Sequence, residues 1–449
     1  MTGTHVFQRQ IAARLPMADH GDGVYIVDAD DKRYLDASGG AAVSSLGHSD
    51  PCVARAIHEQ VDRIAFAHTG YFTSRPAEEL ADFLSAAAPG DMEAVYYTSG
   101  GSEAVEAALK MARQYFLERG EPKRRRFIAR RQSYHGNTLG ALAVGGNAIR
   151  RKPYLPLLME VSHIAPCYAY RHQKDDETEQ EYGLRAAAEL EDEIIRLGPE
   201  TVIGFVAETV AGATLGVVPP VAGYFRRIRD ICDKYGVLLI LDEVMSGMGR
   251  TGTLFACEAE GIAADIFCVA KGLGAGYQPI GAAIAGKAVF EAFRAGSGAF
   301  ENGHTYMGHP IAAAAALAVQ KTIFERNLLD NVRRRGGSLA ALLRDRLGDH
   351  PFVGDIRGRG LFWGIELVAD RRTKEPFDPA LSLHARVKAA AFERGLICYP
   401  GPGAADGVRG DHILLAPPFI IDEAQIEELV DKLSDAVRAA FTQAGVGPE

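Results

Sequence analysis

Asp242 and Lys271 are the two residues whose types and spacing best fit a chemical role in this chain. Each follows a short apolar run: Asp242 lies in VLLILDEVMSGMGRTG (237–252), and Lys271 lies in DIFCVAKGLGAG (265–276). If these runs are neighbouring strands, a buried carboxylate and a buried amine stand side by side. An amine forms a Schiff base with an aldehyde, and a carboxylate keeps a ring nitrogen protonated. The pair therefore predicts pyridoxal 5'-phosphate (PLP) chemistry, in which the cofactor is the electron sink.

A candidate phosphate site lies in SGGSEAVEAALK (99–110), where small residues precede a helical pattern. Backbone N–H groups at the start of a helix point outward, and the helix dipole favours an anion there. Gly101 and Ser102 are the candidate ligands. Taken alone, the motif fits an ordinary serine N-cap equally well. Together with the Asp242 and Lys271 pair, phosphate binding is the better interpretation.

Two further strand ends carry side chains that suit the same site. SYHG (133–136) places Tyr134 and His135 after a predicted strand, and an aromatic ring there can stack on a cofactor. Glu208 ends TVIGFVAE (201–208) and adds a carboxylate at the same edge of the sheet. Each of these residues alone is more typical of structure than of function. Their convergence with Lys271 favours a ligand site, because ligands of α/β folds bind at the carboxyl ends of strands.

GMGRTG (247–252) matches the GxGxxG pattern of dinucleotide-binding proteins. That pattern requires a helix to begin at the glycines, but the following TLFACEAEGI has no clean helical period. The preceding Asp-Glu pair would also place negative charge beside a pyrophosphate. We therefore reject a dinucleotide site, although an oxidoreductase remains the alternative that this match represents.

Composition excludes several classes of protein. The 449 residues are 47% hydrophobic and 24% charged, which is ordinary for a globular protein, and the net charge of −9 disfavours nucleic acid as a partner. The six cysteines have no metal-ligand or disulfide spacing, so we predict no metal site. No apolar stretch is typical of a signal peptide or a membrane span. We therefore expect a cytoplasmic protein with no membrane partner.

The order of the predicted elements indicates an α/β fold. Apolar strand-like runs alternate with helical patterns through the middle of the chain, which is typical of a mostly parallel sheet covered on both faces. The chain ends differ, with a predicted hairpin at 25–37 and a long amphipathic helix at 423–441. We expect a large domain over 66–325 and a small α+β domain from both termini, 1–65 and 326–449.

Several motifs in order along the chain resemble one family. LDEVMSGMGRTG with the lysine of CVAKGLGAG, together with SGGSEA, YHG, HTYMGHP and APPF, is similar to the class III PLP-dependent aminotransferases, the ω-aminotransferase group. The resemblance extends from about residue 20 to about residue 435 and is specific. It implies PLP-dependent transferase fold type I and a homodimer with active sites at the subunit interface.

The resemblance also implies roles for the matched residues. Lys271 is the Schiff-base lysine and proton shuttle, and Asp242 pairs with the pyridine nitrogen. Tyr134 stacks on one face of the ring, and Val244 packs on the other. The remaining cofactor-binding candidates are Gly101 and Ser102 at the phosphate, Thr305 as a phosphate ligand for the partner subunit, and His135 and Glu208.

Departures from the family bear on the substrate. Ornithine- and GABA-type members pair the acid at Glu208 with an arginine, and this chain has Leu414 there. Amine–pyruvate members use a mobile arginine instead, and Arg409 lies close to that position with an offset of about two residues. Ala42 replaces a tryptophan of those members, which implies a roomier substrate pocket beside Tyr71 and Phe72.

These patterns predict an aminotransferase that moves an amino group from a primary amine or ω-amino acid to a 2-oxo acid, with pyruvate as the expected acceptor. The same scaffold also carries racemases, an aminomutase and a decarboxylase, which share every cofactor residue. A non-catalytic protein that retains the fold is a further alternative. The intact Lys271 and Asp242 disfavour that alternative.

Overall fold

The computed structural model describes residues 4–447, which form an α/β structure with fifteen strands. In chain order the strands are β1 (Ala18–Asp22), β2 (Tyr25–Asp28), β3 (Arg33–Asp36), β4 (Met92–Thr98), β5 (Arg126–Arg130), β6 (Ser162–Ile164), β7 (Val202–Glu208), β8 (Leu238–Asp242), β9 (Ile266–Val269), β10 (Gly281–Gly286), β11 (Val353–Arg359), β12 (Phe362–Leu367), β13 (Leu396–Ile397), β14 (Tyr399–Pro402) and β15 (Asp411–Leu415).

The described residues also contain fourteen α-helical segments. They are α1 (Gly39–Ala42), α2 (Pro51–Arg63), α3 (Arg75–Ala87), α4 (Gly101–Glu118), α5 (Leu139–Val144), α6 (Ala148–Arg151), α7 (Ala169–His172), α8 (Glu179–Leu197), α9 (Tyr224–Tyr235), α10 (Lys287–Ala295), α11 (Pro310–Glu325), α12 (Leu328–Leu347), α13 (Leu383–Glu393) and α14 (Glu423–Gln443). None of the helices in residues 4–447 combines the length and the apolar character needed to cross a lipid bilayer.

A seven-stranded sheet in the order β4-β10-β9-β8-β7-β5-β6 forms the centre of the molecule. Its strands are parallel except β10, which pairs antiparallel with both β4 and β9. The sequence predicted a largely parallel sheet with a strand at PIGAAIAG (279–286), but it did not indicate that this strand runs antiparallel. The loop from β9 to β10, residues 270–280, contains only a short 3₁₀ turn, Lys271–Leu273, whereas a parallel connection would have required a crossover helix.

The central strands are buried because each face of the sheet is covered by helices. Every residue of β7, β8 and β9 is buried. Alternate residues enter two cores: Leu239 and Leu241 join the core that contains α8 and α9, whereas Leu238 and Ile240 join the core that contains α4. Burial on both faces explains why these strands read as continuous apolar runs in the sequence.

Strand register brings the predicted polar residues to one edge of this sheet. Glu208 is paired with Asp242 at the ends of β7 and β8, and Asp242 is paired with Cys268 of β9. Lys271 follows β9 after only one residue. The parallel arrangement therefore places both carboxyl groups and the lysine at the same carboxyl edge, as the sequence predicted.

A separate hydrophobic core draws on both ends of the chain. Two four-stranded sheets, in the orders β1-β2-β3-β13 and β11-β12-β15-β14, surround it together with α12, α13 and α14. The predicted hairpin is formed by β2 and β3, and the apolar face expected for α14 is buried. Helix α11 contributes to this core and to the central one. The domain boundaries near residues 65 and 325 stay a prediction.

Helix α11 also supports the turn that carries Lys271. The Gln320 side chain is fully buried, and its Nε2 donates hydrogen bonds to the carbonyl oxygens of Gly272 and Leu273 at 3.0 and 2.9 Å. Backbone carbonyls in an interior need such partners, because an unpaired one loses its hydration without compensation. Gln320 therefore fixes the turn that carries Lys271.

We expect Gln320→Leu to lower the thermal unfolding midpoint, because it leaves two buried carbonyl groups without donors at a cost of about 1–3 kcal/mol each. Thermal melts followed by circular dichroism measure the effect. Gln443→Leu, at the exposed end of α14, is the matched control and should leave the midpoint nearly unchanged. Equal midpoints for the two variants would contradict this role of Gln320.

Glu243, which follows β8, is fully buried without a cationic partner. Its carboxylate accepts hydrogen bonds from Thr209 Oγ1 at 2.6 Å and from the backbone N–H groups of Ala256 and Cys257 at 2.7 and 3.0 Å. Burial raises the pKa of Glu243 to about 7, and the nearby Asp242 adds to the rise. The residue ties the end of β8 to the segment that follows the GMGRTG turn.

The raised pKa predicts a pH-dependent stability. The folded protein holds the Glu243 proton more tightly than the unfolded chain, whose carboxyl titrates near about 4.3. The contribution of Glu243 protonation to the free energy of unfolding is therefore complete at low pH and is lost as the pH rises through about 7. Glu243→Gln has no proton to lose at this position. The melting temperature of this variant minus that of the original protein should therefore increase from pH 5 to pH 8. A constant difference across that range would show that Glu243 does not titrate there.

Candidate active site

A cavity of about 350 Å³ lies at the carboxyl edge of the central sheet. It brings together eight of the residues that the sequence singled out. The cavity is lined by Val43, Ser99, Gly100, Gly101, Ser102, Tyr134, His135, Gly136, Glu208, Asp242, Val244, Met245, Ala270, Lys271, Gly276, Gln278, Pro279 and Ile280.

Asp242 is held rigidly in the cavity wall. Its side chain is almost completely buried, and Oδ2 accepts a hydrogen bond from His135 Nδ1 at 2.8 Å. The backbone N–H of Val244 donates to Oδ1 at 3.0 Å. His135 is itself buried, and its Nε2 has no partner among the described residues. The carboxylate is therefore oriented by two donors.

Lys271 has an unusual backbone and a perturbed amine. Its φ of 44° lies in the left-handed region, which is costly for a residue with a side chain and often marks a functional site. Burial lowers the pKa of the Lys271 amine, while the negative charges of Asp242 and Glu208 oppose that shift. A larger share of neutral amine follows, and the neutral form is the nucleophile.

The N-terminus of α4 forms a cradle at the cavity. A Cβ added to Gly101 would lie 2.8 Å from Val244 Cγ1, so a side chain at 101 would force a shift there. Gly136, at φ 135°, comes so close to Ser102 that a Cβ would lie 2.7 Å from its Oγ. The first N–H groups of a helix have no partner within it. The close approach of backbone at Gly101 and Gly136 leaves room for a phosphate, and the role of Gly101 and Ser102 as its ligands stays a prediction.

Glu208 connects the Tyr134 loop to the strand β7. Its Oε1 accepts a hydrogen bond from the Tyr134 backbone N–H at 3.1 Å, and its Oε2 accepts one from the Gly212 N–H at 2.9 Å. Burial raises the pKa of Glu208 above its ordinary value, and Asp242 adds to the shift. Glu208 thereby positions the Tyr134 loop at the cavity wall. Because residue 414 is a leucine, no arginine at that position pairs with the Glu208 carboxyl group.

Sequence reasoning missed other residues of the wall, among them Val43, Met245 and Gln278. Met245 lies three residues after Asp242, so the strand-end argument extends to it. Gln278 belongs to the loop between β9 and β10, which has to pass the carboxyl edge once β10 is known to be antiparallel. Val43 follows the left-handed turn α1, which no sequence pattern announced.

Five predicted residues lie outside this cavity. Ala42 is buried next to Val43, at φ 66°. Tyr71 and Phe72 are 84% and 68% exposed and line a separate cavity of about 770 Å³ between α2, α3 and α11. Thr305 is exposed on the loop before α11. Arg409 is paired with Asp406 and Glu375 at the surface.

The donor set suits an organic cofactor with a phosphate group. Lys271 offers an amine, Asp242 a fixed anion and His135 a buried nitrogen without a partner, beside the cradle of α4. In the part of the chain that the structure describes, no group of three or more His, Cys, Asp or Glu residues could hold a metal ion. No helix begins at GMGRTG, whose residues 247–252 form turns.

Comparison with known proteins supports the same conclusion. The family model described as aminotransferase class-III matches residues 7–437. An uncharacterized aminotransferase of Schizosaccharomyces pombe is 47% identical over 425 residues, which cover 94% of this chain and 93% of the relative. The name of that relative states the activity class and no substrate.

Solved structures of ω-transaminases share the fold. An (S)-enantioselective ω-transaminase from Thermomicrobium roseum superimposes with a TM-score of 0.90 at 35% identity and covers 98% of this chain and 96% of its own. An ω-transaminase from Pseudomonas jessenii, solved in complex with PMP, has a TM-score of 0.91 at 32% identity, with 98% of both chains covered. The predicted fold type I is confirmed, and the chain belongs to the class III aminotransferases, which are PLP-dependent.

Proposed function

We propose that this aminotransferase moves an amino group from a primary amine or an ω-amino acid to a 2-oxo acid, with pyruvate as the acceptor, using PLP bound at Lys271. The observation that supports this most directly is that Asp242 and Lys271 line one cavity beside the N-terminus of α4. PLP, when bound there, supplies an electron sink for the negative charge that develops on the amine-bearing carbon.

Lys271 has two tasks in this proposal. Its amine, with a pKa lowered by burial, would hold PLP covalently at the aldehyde carbon, with water as the leaving molecule. When a substrate amine takes its place, Nζ is free to move a proton away from the substrate carbon as a general base and return it as a general acid. The left-handed turn at Lys271 and the Gln320 contacts below it keep Nζ within the cavity.

Asp242 would keep the pyridine nitrogen protonated when PLP is bound. Its carboxylate is fixed by His135 Nδ1 and the Val244 N–H, so its charge needs no reorganisation when the substrate reacts. Gly101 and Ser102 would hold the phosphate at the start of α4. Tyr134 and Val244 would pack against the ring, and Glu208 positions the Tyr134 loop.

The cavity wall next to Met245 is apolar. Leu414, Ala42 and Met245 belong to one buried cluster, so no guanidinium occupies the position that pairs with Glu208 in ornithine- and GABA-type members. An apolar wall favours amines that carry hydrocarbon there. The ω-transaminase names of the solved relatives agree with such donors.

We further propose that the enzyme is a homodimer with shared active sites. Phe66, Tyr71, Phe72 and Tyr306 form an exposed aromatic patch around the 770 Å³ cavity, with Phe66 and Tyr306 5.7 Å apart. Exposed apolar patches of this kind mark interaction surfaces. A second subunit bound at this patch would cover it. Thr305 of each subunit would then reach the phosphate cradle of the other subunit.

A cytoplasmic location completes the proposal. All six cysteines are free, and five of them are buried. Unpaired thiols are typical of a reducing compartment. The substrates, in turn, are small molecules, because the cavity at the sheet edge has a volume of only about 350 Å³.

The proposal is tested first by locating the cofactor. PLP is added to the purified protein, the adduct is reduced with borohydride, and peptides are mapped for the phosphopyridoxyl group. We expect the label on Lys271, whose amine alone lines the cavity. Lys271→Ala is the control and should carry no label. A label on another lysine, or no PLP bound by the original protein, refutes the assignment.

The same preparation then tests the reaction. Incubation with a panel of amines and pyruvate should yield alanine and the matching carbonyl product in equal amounts. Release of carbon dioxide, inversion of the donor or migration of its amino group would instead show a decarboxylase, racemase or aminomutase. A protein that binds PLP at Lys271 but converts no donor would be a binding protein.

Thr305 should act on the partner subunit. Thr305→Ala is expected to weaken PLP binding, since a hydroxyl contact to a charged oxygen contributes about 1.5–3 kcal/mol. Heterodimers of Thr305→Ala and Lys271→Ala subunits test the direction. Their one site with a lysine receives its threonine from the Lys271→Ala subunit and should bind PLP normally. Weak binding at that site would show that Thr305 serves its own subunit.

A further inference from the structure

Arg130, the last residue of β5, is a buried cation next to the active-site edge of the sheet. It is almost completely buried, and its Nη2 donates a hydrogen bond to the carbonyl oxygen of Glu208 at the end of β7. Among residues 4–447, no aspartate or glutamate lies within ion-pair distance of its guanidinium. A buried charge is costly unless its surroundings compensate it. A negative charge at longer range must therefore compensate Arg130.

The neighbours of Arg130 toward α9 supply no such charge. Its guanidinium carbon lies 5.9 Å from the centroid of the Phe225 ring. Burial raises the pKa of the Tyr224 hydroxyl and of the Cys167 thiol, and the positive charge of Arg130 opposes both shifts. The hydroxyl and the thiol are neutral near pH 7, since both groups already titrate above that pH in water. The side of Arg130 that faces α9 therefore leaves its charge uncompensated.

The Glu208 carboxylate is the complementary buried charge. Burial raises the pKa of Glu208, His135 and Arg130 oppose that rise, and Asp242 adds to it. Glu208 in turn raises the pKa of the Lys271 amine against the larger effect of burial. An imidazole or an amine can lose its proton, whereas a guanidinium keeps its charge. Arg130 is therefore the permanent cation among the charged groups that act on Glu208.

The hydrogen bonds of Glu208 suit its ionised form. Oε1 accepts from the Tyr134 N–H at 3.1 Å, and Oε2 accepts from the Gly212 N–H at 2.9 Å. Both carboxyl oxygens thus face N–H donors, and a protonated carboxyl group accepts less well on the oxygen that carries the proton. Leu414 belongs to an apolar cluster and offers Glu208 no positive charge. The cation on the neighbouring strand β5 is therefore the group that favours the accepting form.

We propose that Arg130 is a positioning residue that provides the countercharge of Glu208 and thereby keeps the Tyr134 loop at the cavity. Arg130 holds the Glu208 carbonyl group by a hydrogen bond, and its positive charge favours the carboxylate of the same residue. Arg130 acts through Glu208, since Glu208 lines the cavity and Arg130 does not. The inference rests on the proposed function only in that Tyr134 would pack against the PLP ring.

The test is a pH profile of thermal stability in the original protein, Arg130→Met, Glu208→Gln and the double variant. Without the guanidinium, the folded protein should hold the Glu208 proton more tightly, and the stability gained from that proton is lost as the pH rises. The midpoint of Arg130→Met should therefore lie further below that of the original protein at pH 8 than at pH 5, by about 2 °C. In the Glu208→Gln background, Arg130→Met should have the same effect at both pH values. Glu243 titrates in all four chains, so its contribution cancels.

Two further variants and a second measurement sharpen the test. Arg130→Lys keeps a cation and should retain the pH profile of the original protein. Arg131→Met removes the neighbouring exposed cation and is the matched control, with the profile unchanged. The dissociation constant of PLP should rise about 2- to 10-fold in Arg130→Met, because the aromatic contact of Tyr134 is weakened. It should stay normal in Arg131→Met.

The opposite results overturn the inference. An effect of Arg130→Met that is equal at pH 5 and pH 8 shows that the side chain only fills space, and an increase that persists in the Glu208→Gln background shows that it balances another acid. Unchanged PLP binding in Arg130→Met removes its link to the Tyr134 loop. If Arg130→Met does not fold at pH 8, the double variant should fold there, and its failure to fold contradicts the inference.

Failure of the original protein to hold PLP at Lys271 is a separate result. It refutes the proposed function, whereas the midpoints, measured on the protein as purified, still decide whether Arg130 balances Glu208.

Discussion

A buried anion and a buried amine at one sheet edge are the constraint on which this structure depends. Burial favours the neutral amine of Lys271, and the negative charges of Asp242 and Glu208 favour its protonated form. Neither group would be stable in an apolar interior without the other and without hydrogen-bond donors. The donors to Asp242 come from His135 and the Val244 backbone, so the loops that carry them must close on the strand ends with fixed geometry.

That requirement explains the support around the cavity. Glu208 binds the Tyr134 backbone from one side, and Gln320 holds the carbonyls after Lys271 from another. Gly136 allows the Tyr134 loop to approach Ser102, so this loop and the N-terminus of α4 share one contact. Each of these residues acts on a backbone segment rather than on a ligand. The positions of the side chains that line the cavity are therefore set by the polar contacts around them.

Much of this arrangement could be predicted from the sequence because parallel strands align their ends. Asp242 and Lys271 follow apolar runs, and strand register then requires them to meet. The antiparallel direction of β10 was not accessible, since an apolar strand reads alike in either direction. Gln278 was missed for a related reason: it lies in a loop whose path depends on turn hydrogen bonds, such as that of the Tyr277 N–H with the Gly274 carbonyl oxygen, rather than on periodicity. The role proposed for Thr305 needs a second subunit, so residue patterns suggest it only through the family.

The distribution of charge around the cavity connects this geometry to substrate choice. Leu414 leaves Glu208 with backbone N–H partners alone, and burial then raises the pKa of its carboxyl group. That wall of the cavity consequently offers a substrate little cationic character. Met245 and Leu414 belong to one buried apolar cluster, so this side of the cavity presents hydrocarbon rather than a charge. In the reaction proposed for this chain, such a wall favours amine donors that carry hydrocarbon there.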